Sequence, residues 1–197
     1  SDSTQGDLRL RGLWCLHGAG QLSESDFHRL LEDPYEHVRG WAIQLVCEKG
    51  DPSREIQSKL QDMAAKDASP NVRRFLASSS QRLSPMVRWP ILEGLVRHAQ
   101  DAEDHNLPKL IWFSLEPLVT QDIPRSLRLA EQSALPMVTR HVARRLASAD
   151  QYGAMFEQLG HWSGSGSESM LLGIRDAVEG RFDMKAPSGW TALAPKL

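Results

Sequence analysis

The sequence has few cysteines and no excess of charge of either sign, and both features exclude classes of protein. Cys15 and Cys47 are the two cysteines in 197 residues, which is too few for a disulfide framework. Lys and Arg number 23 against 25 Asp and Glu, and the resulting net charge of −2 argues against a general binder of polyanions. We expect two free, partly buried thiols, although a bridge between neighbouring helices is also compatible with the pattern.

Long apolar runs and short catalytic motifs are also missing. No run reaches the roughly 18 apolar residues of a membrane span, and no signal-peptide pattern occurs. The sequence contains no G-x-G-x-x-G, G-x-x-x-x-G-K-[ST], H-E-x-x-H, G-x-S-x-G or C-x-x-C-H motif. We therefore expect a soluble segment with no membrane contact, no cofactor and no catalytic residues.

One short phrase is present twice, 34 positions apart. Residues 33–39 (DPYEHVR) and 67–73 (DASPNVR) share Asp, Val and Arg at their first, sixth and seventh positions. Each phrase joins two segments with helical spacing of apolar residues, and a helix–turn–helix repeat of this length is typical of an α-solenoid. The sequence predicts an all-α, right-handed superhelix of about five helix pairs plus an extra N-terminal helix.

Turn and capping signals place the helices along the chain. Ser23 with Asp26 predicts one N-cap, and Asp51-Pro52-Ser53 predicts another. Asp33 with Glu36 predicts a capping box that places Pro34 in the first helical turn, and Ser69-Pro70 predicts the same arrangement one repeat later. The third pair is predicted at about 87–99 and 106–118, the fourth at 124–131 and 135–146, and the last helix at about 168–180.

The repeats do not account for the whole sequence. Residues 1–7 carry no pattern and are predicted to be a disordered end, while 8–148 form the HEAT-like repeats. Residues 149–197 are predicted to be an atypical last repeat with a truncated tail. Within it, 160–167 is rich in Gly and Ser and is predicted to be a flexible loop.

A recurring position in the second helices predicts a layer of stacked rings. It lies three residues after the Val of each repeat phrase and holds Trp41 and Phe75, then Phe113 and His141 in the later pairs. We interpret His141 as a packed histidine with one hydrogen bond rather than as a ligand.

A histidine and aspartate cluster lies between the helices of the third pair. His98, Asp101, Asp104 and His105 form an H-x2-D-x2-D-H pattern whose imidazole and carboxylate groups suit a transition metal. The same residues also read as a solvated turn with capping acids. We favour the turn and keep the four residues as weak metal candidates.

Glu116 lies in a strongly apolar helix directly before Pro117. A carboxylate in such surroundings is costly unless it is paired. A role as a general acid or base lacks a second carboxylate or a nucleophile at a suitable spacing. We therefore expect an ion pair with a neighbouring repeat, through Arg140 or Arg144.

Arginines concentrate in the fourth pair, where Arg140 and Arg144 share one helix face. Such a face receives an acidic partner or phosphates, or it is simply solvated. We predict an interaction surface that also includes the 101–108 loop; its residues are Arg73, Lys109, Glu116, Arg140 and Arg144. Arg39 and Arg73 are further expected to form a ladder with the turn aspartates of adjacent repeats.

Two stretches carry a resemblance to a known family. The first contains RWPILE at 88–93, DHNLP at 104–108, Trp112 and EPL at 116–118; the second contains GIRDAVEGR at 173–181 and GW at 189–190. Together with 8–20, they resemble the HEAT-repeat region of the PVC-type membrane-bound dehydrogenase family. The resemblance covers nearly the whole chain, and its middle stretch is more specific than a general HEAT match.

In that family a sugar-dehydrogenase-like propeller precedes the HEAT array, and a c-type cytochrome domain follows it. The resemblance implies an exported parent protein, periplasmic or membrane-associated, that handles electrons from an oxidised substrate. Neither module lies within these 197 residues, so no catalytic or haem-ligating residue of the family can be placed here. The implied role is a non-catalytic spacer or docking domain that contacts other domains of its chain or a protein partner.

Two other functions stay open. One is a HEAT-like DNA glycosylase, for which Glu116 beside Trp112 would be the carboxylate in an aromatic pocket. The other is a free-standing module that binds an acidic peptide. Because the net charge is −2 and no lysine-rich stripe occurs, nucleic acid is not the expected partner.

Overall fold

The computed structural model describes residues 2–162, 165–181, 185–187 and 189–194, and these residues contain helices but no strand. The helices in chain order are α1 (Asp2–Gly18), α2 (Glu24–Leu30), α3 (Glu36–Val46), α4 (Arg54–Lys66), α5 (Pro70–Ser79), α6 (Pro85–Leu95), α7 (Leu107–Val119), α8 (Ile123–Gln132), α9 (Pro136–Ser148), α10 (Tyr152–Leu159), α11 (Ser165–Val178) and α12 (Trp190–Leu193). The all-α prediction is confirmed, and the handedness of a superhelix stays a prediction.

Three of the four predicted N-caps are present. The hydroxyl of Ser23 accepts a hydrogen bond from the Asp26 amide in a complete capping box, and Ser53 and Ser69 cap α4 and α5 in the same way. The capping box predicted for α3 is wrong. Asp33 accepts a hydrogen bond from the Tyr35 amide (2.8 Å), so the turn is longer and the helix begins after Pro34.

The chain forms two compact units, Ser1–Leu95 and Val96–Leu197. In unit 1 the second helices of the repeats lie side by side, α1 against α3 and α3 against α5. The first helices α2 and α4 pack on α3 and α5, and α4 also contacts α6. Unit 1 is therefore built from two layers of helices with an apolar core between them.

A ladder of arginines and aspartates joins successive repeats of unit 1. Arg39 donates two hydrogen bonds to the carboxylate of Asp67, from Nε at 2.9 Å and from Nη2 at 3.0 Å. Arg9 binds Asp33 in the same manner, at 2.8 and 3.0 Å. The predicted ladder is confirmed for Arg39, and Arg9 and Arg39 each bind the turn aspartate of the following repeat.

Arg39 and Arg73 also bind the carbonyl groups of their own turns. Arg39 donates to the Asp33 carbonyl at 2.8 Å, and Arg73 donates to the Asp67 carbonyl at 2.7 Å. Arg73 is only 1% exposed. The prediction that Arg73 contributes to an exposed surface is therefore wrong, because its guanidinium lies inside the repeat and holds the turn together.

The ring layer predicted for the second helices is present in unit 1. Trp41 lies 6.1 Å from Phe75 between ring centroids, and Trp14 of α1 adds an edge contact to Trp41 at 5.1 Å. The rings thus run across three neighbouring helices. Each ring contact joins neighbouring second helices, so the layer depends on the stacking of repeats.

The N-terminal residues belong to the fold. The prediction of a disordered end at 1–7 is wrong, since α1 begins at Asp2. Gly6 allows α1 to pack closely against Tyr35, because a Cβ atom at position 6 would lie 2.4 Å from the Tyr35 ring. The Tyr35 hydroxyl also donates to the carboxylate of Asp7 at 3.1 Å.

Unit 2 has the same kind of packing. Its second helices α7, α9 and α11 lie side by side, and α8 and α10 pack against α9. The Gly/Ser stretch predicted as a loop is partly helical, because α11 begins at Ser165. Residues 163 and 164 of that stretch lie outside the described residues.

The two thiols differ in environment, and this gives a testable prediction. Both are free; Cys15 is exposed and Cys47 is buried, and burial raises the pKa of Cys47 to about 12. Since the thiolate is the reactive form, we expect a disulfide reagent at pH 8 to modify one thiol per native chain and two in denaturant. Cys15→Ser should abolish the native reaction; a second thiol reacting at the same rate would contradict the buried position of Cys47.

Candidate functional site

A polar cleft of about 310 Å³ lies between α7 and α9 in unit 2; its lining residues are Trp112, Glu116, His141, Arg144, Arg145 and Ser148. Residues 112 and 116 are one turn apart on α7, while 141, 144, 145 and 148 follow the i, i+3, i+4, i+7 spacing of one helix face. The cleft therefore follows directly from two neighbouring helices. We call it the α7–α9 cleft.

An aromatic pair forms part of the wall. The rings of Trp112 and His141 stack with centroids 5.2 Å apart and planes at 28°. Nδ1 of His141 is buried and makes no hydrogen bond in the described part of the chain, so the single hydrogen bond predicted for this histidine is absent at that atom. Burial, followed by the positive charges of Arg144 and Arg140, lowers the pKa of His141, and Asp176 opposes this shift.

Glu116 is paired, but not with the predicted arginines. Its Oε1 lies 2.8 Å from Nε of Arg145, and both side chains are more than one-third exposed. The Arg145 N–H is not aligned for a hydrogen bond, so the contact is an ion pair. Because Glu116 keeps contact with water, the desolvation expected from its apolar sequence surroundings does not occur.

Arg140 is directed to the other side of α9. Its Nε lies 2.5 Å from Oδ2 of Asp176 on α11, and the hydrogen bond lowers the pKa of Asp176. Arg144, by contrast, is exposed and forms no ion pair within the described residues of unit 2. Arg144 is therefore the arginine of the cleft that is available to an external anion.

The other predicted site residues lie apart from the cleft. Lys109 is exposed in the first turn of α7 and does not line the cleft. Asp104 accepts hydrogen bonds from the amides of Asn106 and Leu107, which start α7, and Asp101 is buried, 2% exposed. Asp104 thus caps the start of α7, which agrees with the interpretation of this loop as a turn with capping acids.

The four metal candidates do not assemble. Among the described residues, the single group of three or more possible ligands within 4.8 Å consists of Glu24, His28 and Glu55, and it does not include His98 or His105. That group lies on the surface of unit 1, where Glu24 also accepts a hydrogen bond from Ser53. Glu24 and His28 are one turn apart, but Glu55 comes from α4, so no sequence pattern marks the group.

The ring layer of the second helices continues differently in unit 2. Phe113 is 57% exposed, so the prediction that it belongs to the layer is wrong. Trp112 occupies that role and stacks on His141. The turn before α7 differs from the turns of the repeat phrase, and α7 begins at the buried Leu107. The position that faces the neighbouring second helix is therefore residue 112 rather than residue 113.

Compared with protein-family models, curated proteins and solved structures, the chain matches none. The resemblance to the PVC-type dehydrogenase HEAT region therefore stays a prediction. In the described ranges, no helix combines the length and apolar character that crossing a bilayer requires.

Proposed function

We propose that this chain is a non-catalytic interaction segment, and that its α7–α9 cleft binds an acidic side chain of a protein partner. The observation that carries the proposal is Arg144, whose exposed guanidinium forms no ion pair with the residues that the structure describes and lies beside a concave, aromatic-walled surface. The carboxylate that lines the same cleft, Glu116, is already engaged by Arg145. The cleft thus has one positive charge left for a ligand.

The chemistry of the cleft favours a carboxylate ligand. A guanidinium presents two parallel N–H groups that match the two oxygens of a carboxylate, and such hydrogen bonds are stronger than neutral ones. His141 adds a second donor when it is protonated, since both ring nitrogens then carry hydrogen. Trp112 supplies an apolar wall for the methylene groups of a glutamate.

Binding of acidic peptides tests the proposal. A fluorescein-labelled Glu-rich peptide should bind with an affinity that Arg144→Ala weakens about tenfold, because a hydrogen bond to a charged group contributes about 1.5–3 kcal/mol. The matched control is Arg128→Ala, which removes an exposed arginine of α8 outside the cleft. Two results would overturn the cleft assignment: equal losses in both variants, or equal affinity for a control peptide in which each Glu is replaced by Gln.

The same experiment has a pH dependence. The pKa of His141 lies below its ordinary value of 6.5 in the free protein, so the ring is mostly neutral at pH 7 and gains a proton as the pH falls. Binding of a permanently anionic sulfonated peptide should therefore strengthen as the pH falls below 6.5, and His141→Phe should remove most of that change. An unaltered pH profile in His141→Phe would exclude the histidine from the binding site.

We further propose that the segment is a spacer or docking domain within a larger exported redox protein. The support is the sequence resemblance at 88–118 and 173–190. The complete reading frame tests it: a propeller-coding region upstream and a C-x-x-C-H motif downstream are expected. If the reading frame encodes neither module, the spacer proposal is wrong, whereas the proposal for the α7–α9 cleft is unaffected.

A second candidate, a DNA-binding enzyme of the glycosylase type, is favoured by one observation. Glu116 and Trp112 line one cleft together with two arginines. It predicts duplex-DNA affinity that falls steeply with salt concentration and base-excision activity that Glu116→Gln abolishes. The ion pair of Glu116 and the stacking of His141 on Trp112 argue against it, and absence of DNA binding at low salt would exclude it.

A further inference from the structure

Three potential metal ligands meet on the surface of unit 1 and take no part in the α7–α9 cleft. They are Glu24 and His28 of α2 and Glu55 of α4, and one ligand atom of each lies within 4.8 Å of the other two. We call them the α2–α4 triad. The triad combines an imidazole nitrogen with two carboxylate oxygens, and zinc and other divalent transition metals bind such a mixed donor set.

The backbone brings the triad together. Glu24 and His28 are four residues apart on α2, so their side chains lie on the same face of that helix. Glu55 is in the first turn of α4, and its Oε2 lies 3.6 Å from Nε2 of His28. Ligand atoms in a tetrahedral zinc site with bonds of about 2.1 Å are about 3.4 Å apart. His28 and Glu55 are therefore close to the required separation, and small rotations of the two exposed glutamates complete the set.

The charges of the triad also suit a cation. In the part of the chain that the structure describes, neither Glu24 nor Glu55 forms an ion pair with a lysine or an arginine. Farther along the same pair of helices the arrangement differs, because Glu32 binds Lys59 at 2.6 Å. The two carboxylates of the triad thus lie close together with a histidine beside them. A divalent cation between them would replace their mutual repulsion by attraction.

Ser53 positions one of the three ligands. Its hydroxyl accepts the Ile56 amide as the N-cap of α4, and it donates a hydrogen bond to Oε1 of Glu24. Hydrogen bonds from outside the ligand set commonly orient the carboxylates that bind a metal. This one holds the Glu24 carboxylate at the start of α4, where Glu55 also lies.

We propose that the α2–α4 triad binds one divalent transition-metal ion, zinc in the first place, through Nε2 of His28 and one carboxylate oxygen each of Glu24 and Glu55. Three protein ligands leave the fourth position of a tetrahedral zinc to water. The ligands come from the first helices of two successive repeats, so the bound ion joins α2 to α4 and stabilises unit 1. This inference is independent of the α7–α9 cleft.

Titration with Zn²⁺ in a calorimeter at pH 7.5 tests the proposal. The full chain carries Cys15→Ser, because the exposed thiol would itself compete for zinc. One ion per chain should bind saturably, and Mg²⁺ should bind far more weakly, since magnesium prefers oxygen ligands and retains its water. His28→Ala and Glu55→Gln should each weaken zinc binding at least about tenfold, because losing even an outer hydrogen-bond partner of a ligand commonly costs that much in affinity.

A second histidine of unit 1 provides the matched control. Nε2 of His17 lies 3.2 Å from Glu48, and among the described residues this pair has no third ligand within reach. His17→Ala should therefore leave the zinc affinity unchanged. Zinc should raise the midpoint of thermal unfolding of the Cys15→Ser chain, because the ion binds the folded triad, and His28→Ala should remove that rise. The replaced side chains are all partly exposed, so the zinc-free variants should keep the helix content of the parent chain.

Three outcomes would overturn the proposal. The first is the absence of saturable binding up to millimolar zinc. The second is an equal affinity of the His28→Ala chain, the Glu55→Gln chain and their parent, which would place the ion elsewhere. The third is binding of Mg²⁺ as tight as that of Zn²⁺, which would indicate screening of surface carboxylates rather than a site that uses the imidazole nitrogen.

Discussion

Replacing Asp67 with alanine is expected to lower the free energy of unfolding of unit 1 by about 3 kcal/mol, because one partner of a largely buried ion pair is removed. The Asp67 side chain is 8% exposed, and that of its partner Arg39 is 17% exposed. The carboxylate also accepts the Ser69 amide at 2.9 Å. Alanine leaves this amide and the Nε and Nη2 groups of Arg39 without their acceptor, while Nη1 keeps its hydrogen bond to the Asp33 carbonyl.

Two further variants identify the cause of the loss. Asp67→Asn keeps an oxygen for the Ser69 amide but removes the charge, so it should cost less than alanine. Asp62→Ala breaks the pair between Lys66 and Asp62, whose side chains are both more than half exposed, and should leave the free energy of unfolding nearly unchanged because water screens the pair. Urea unfolding followed by circular dichroism measures all three; similar losses for Asp62→Ala and Asp67→Ala would contradict the role of burial.

Replacing Gly173 with alanine is expected to destabilise unit 2 by about 3 kcal/mol, because overpacking a helix contact forces the helices apart. A Cβ atom at Gly173 would lie 2.1 Å from the carbonyl oxygen of Arg140 and 2.7 Å from the Cβ of Ala143. A backbone carbonyl cannot rotate out of the way within a helix. The substitution must therefore move α11 away from α9.

A second glycine in the same unit provides the matched control. Gly153 is exposed in α10, and a Cβ atom there would meet nothing within 4 Å. Gly153→Ala should stabilise the helix by up to about 1 kcal/mol, since alanine has the higher helix propensity. Thermal unfolding of both variants gives the comparison; a tolerated Gly173→Ala would show that α11 and α9 are not in close contact.

Interactions between residues close in sequence were the most predictable part of this fold. Ser23, Ser53 and Ser69 cap helices as expected because a hydroxyl and an amide three residues later form a self-contained unit. The ladder between Arg39 and Asp67 was also predictable, although it spans 28 residues, because the repeat places equivalent groups side by side. The repeat therefore made a contact between residues far apart in sequence predictable from the sequence alone.

Predictions failed where packing between helices decides the outcome. The partner of Glu116 is Arg145 rather than Arg140 or Arg144, because the rotation of α9 directs Arg140 to Asp176. Phe113 is exposed because α7 begins in a different register from α3 and α5. Spacing along one helix does not fix its rotation against the next, so the lining of the α7–α9 cleft required the structure.

The Asp–Arg ladder has a consequence for how such a chain changes over evolutionary time. Deleting residues 34–67 would join Asp33 directly to Ala68 and recreate the phrase DASPNVR. Arg9 would still meet an aspartate, and Arg73 would meet the carbonyl of Asp33 in place of that of Asp67. Recombination can therefore remove or duplicate a unit of this length without leaving a buried charge unpaired. The number of repeats can then change while each Asp–Arg pair between neighbouring repeats is kept.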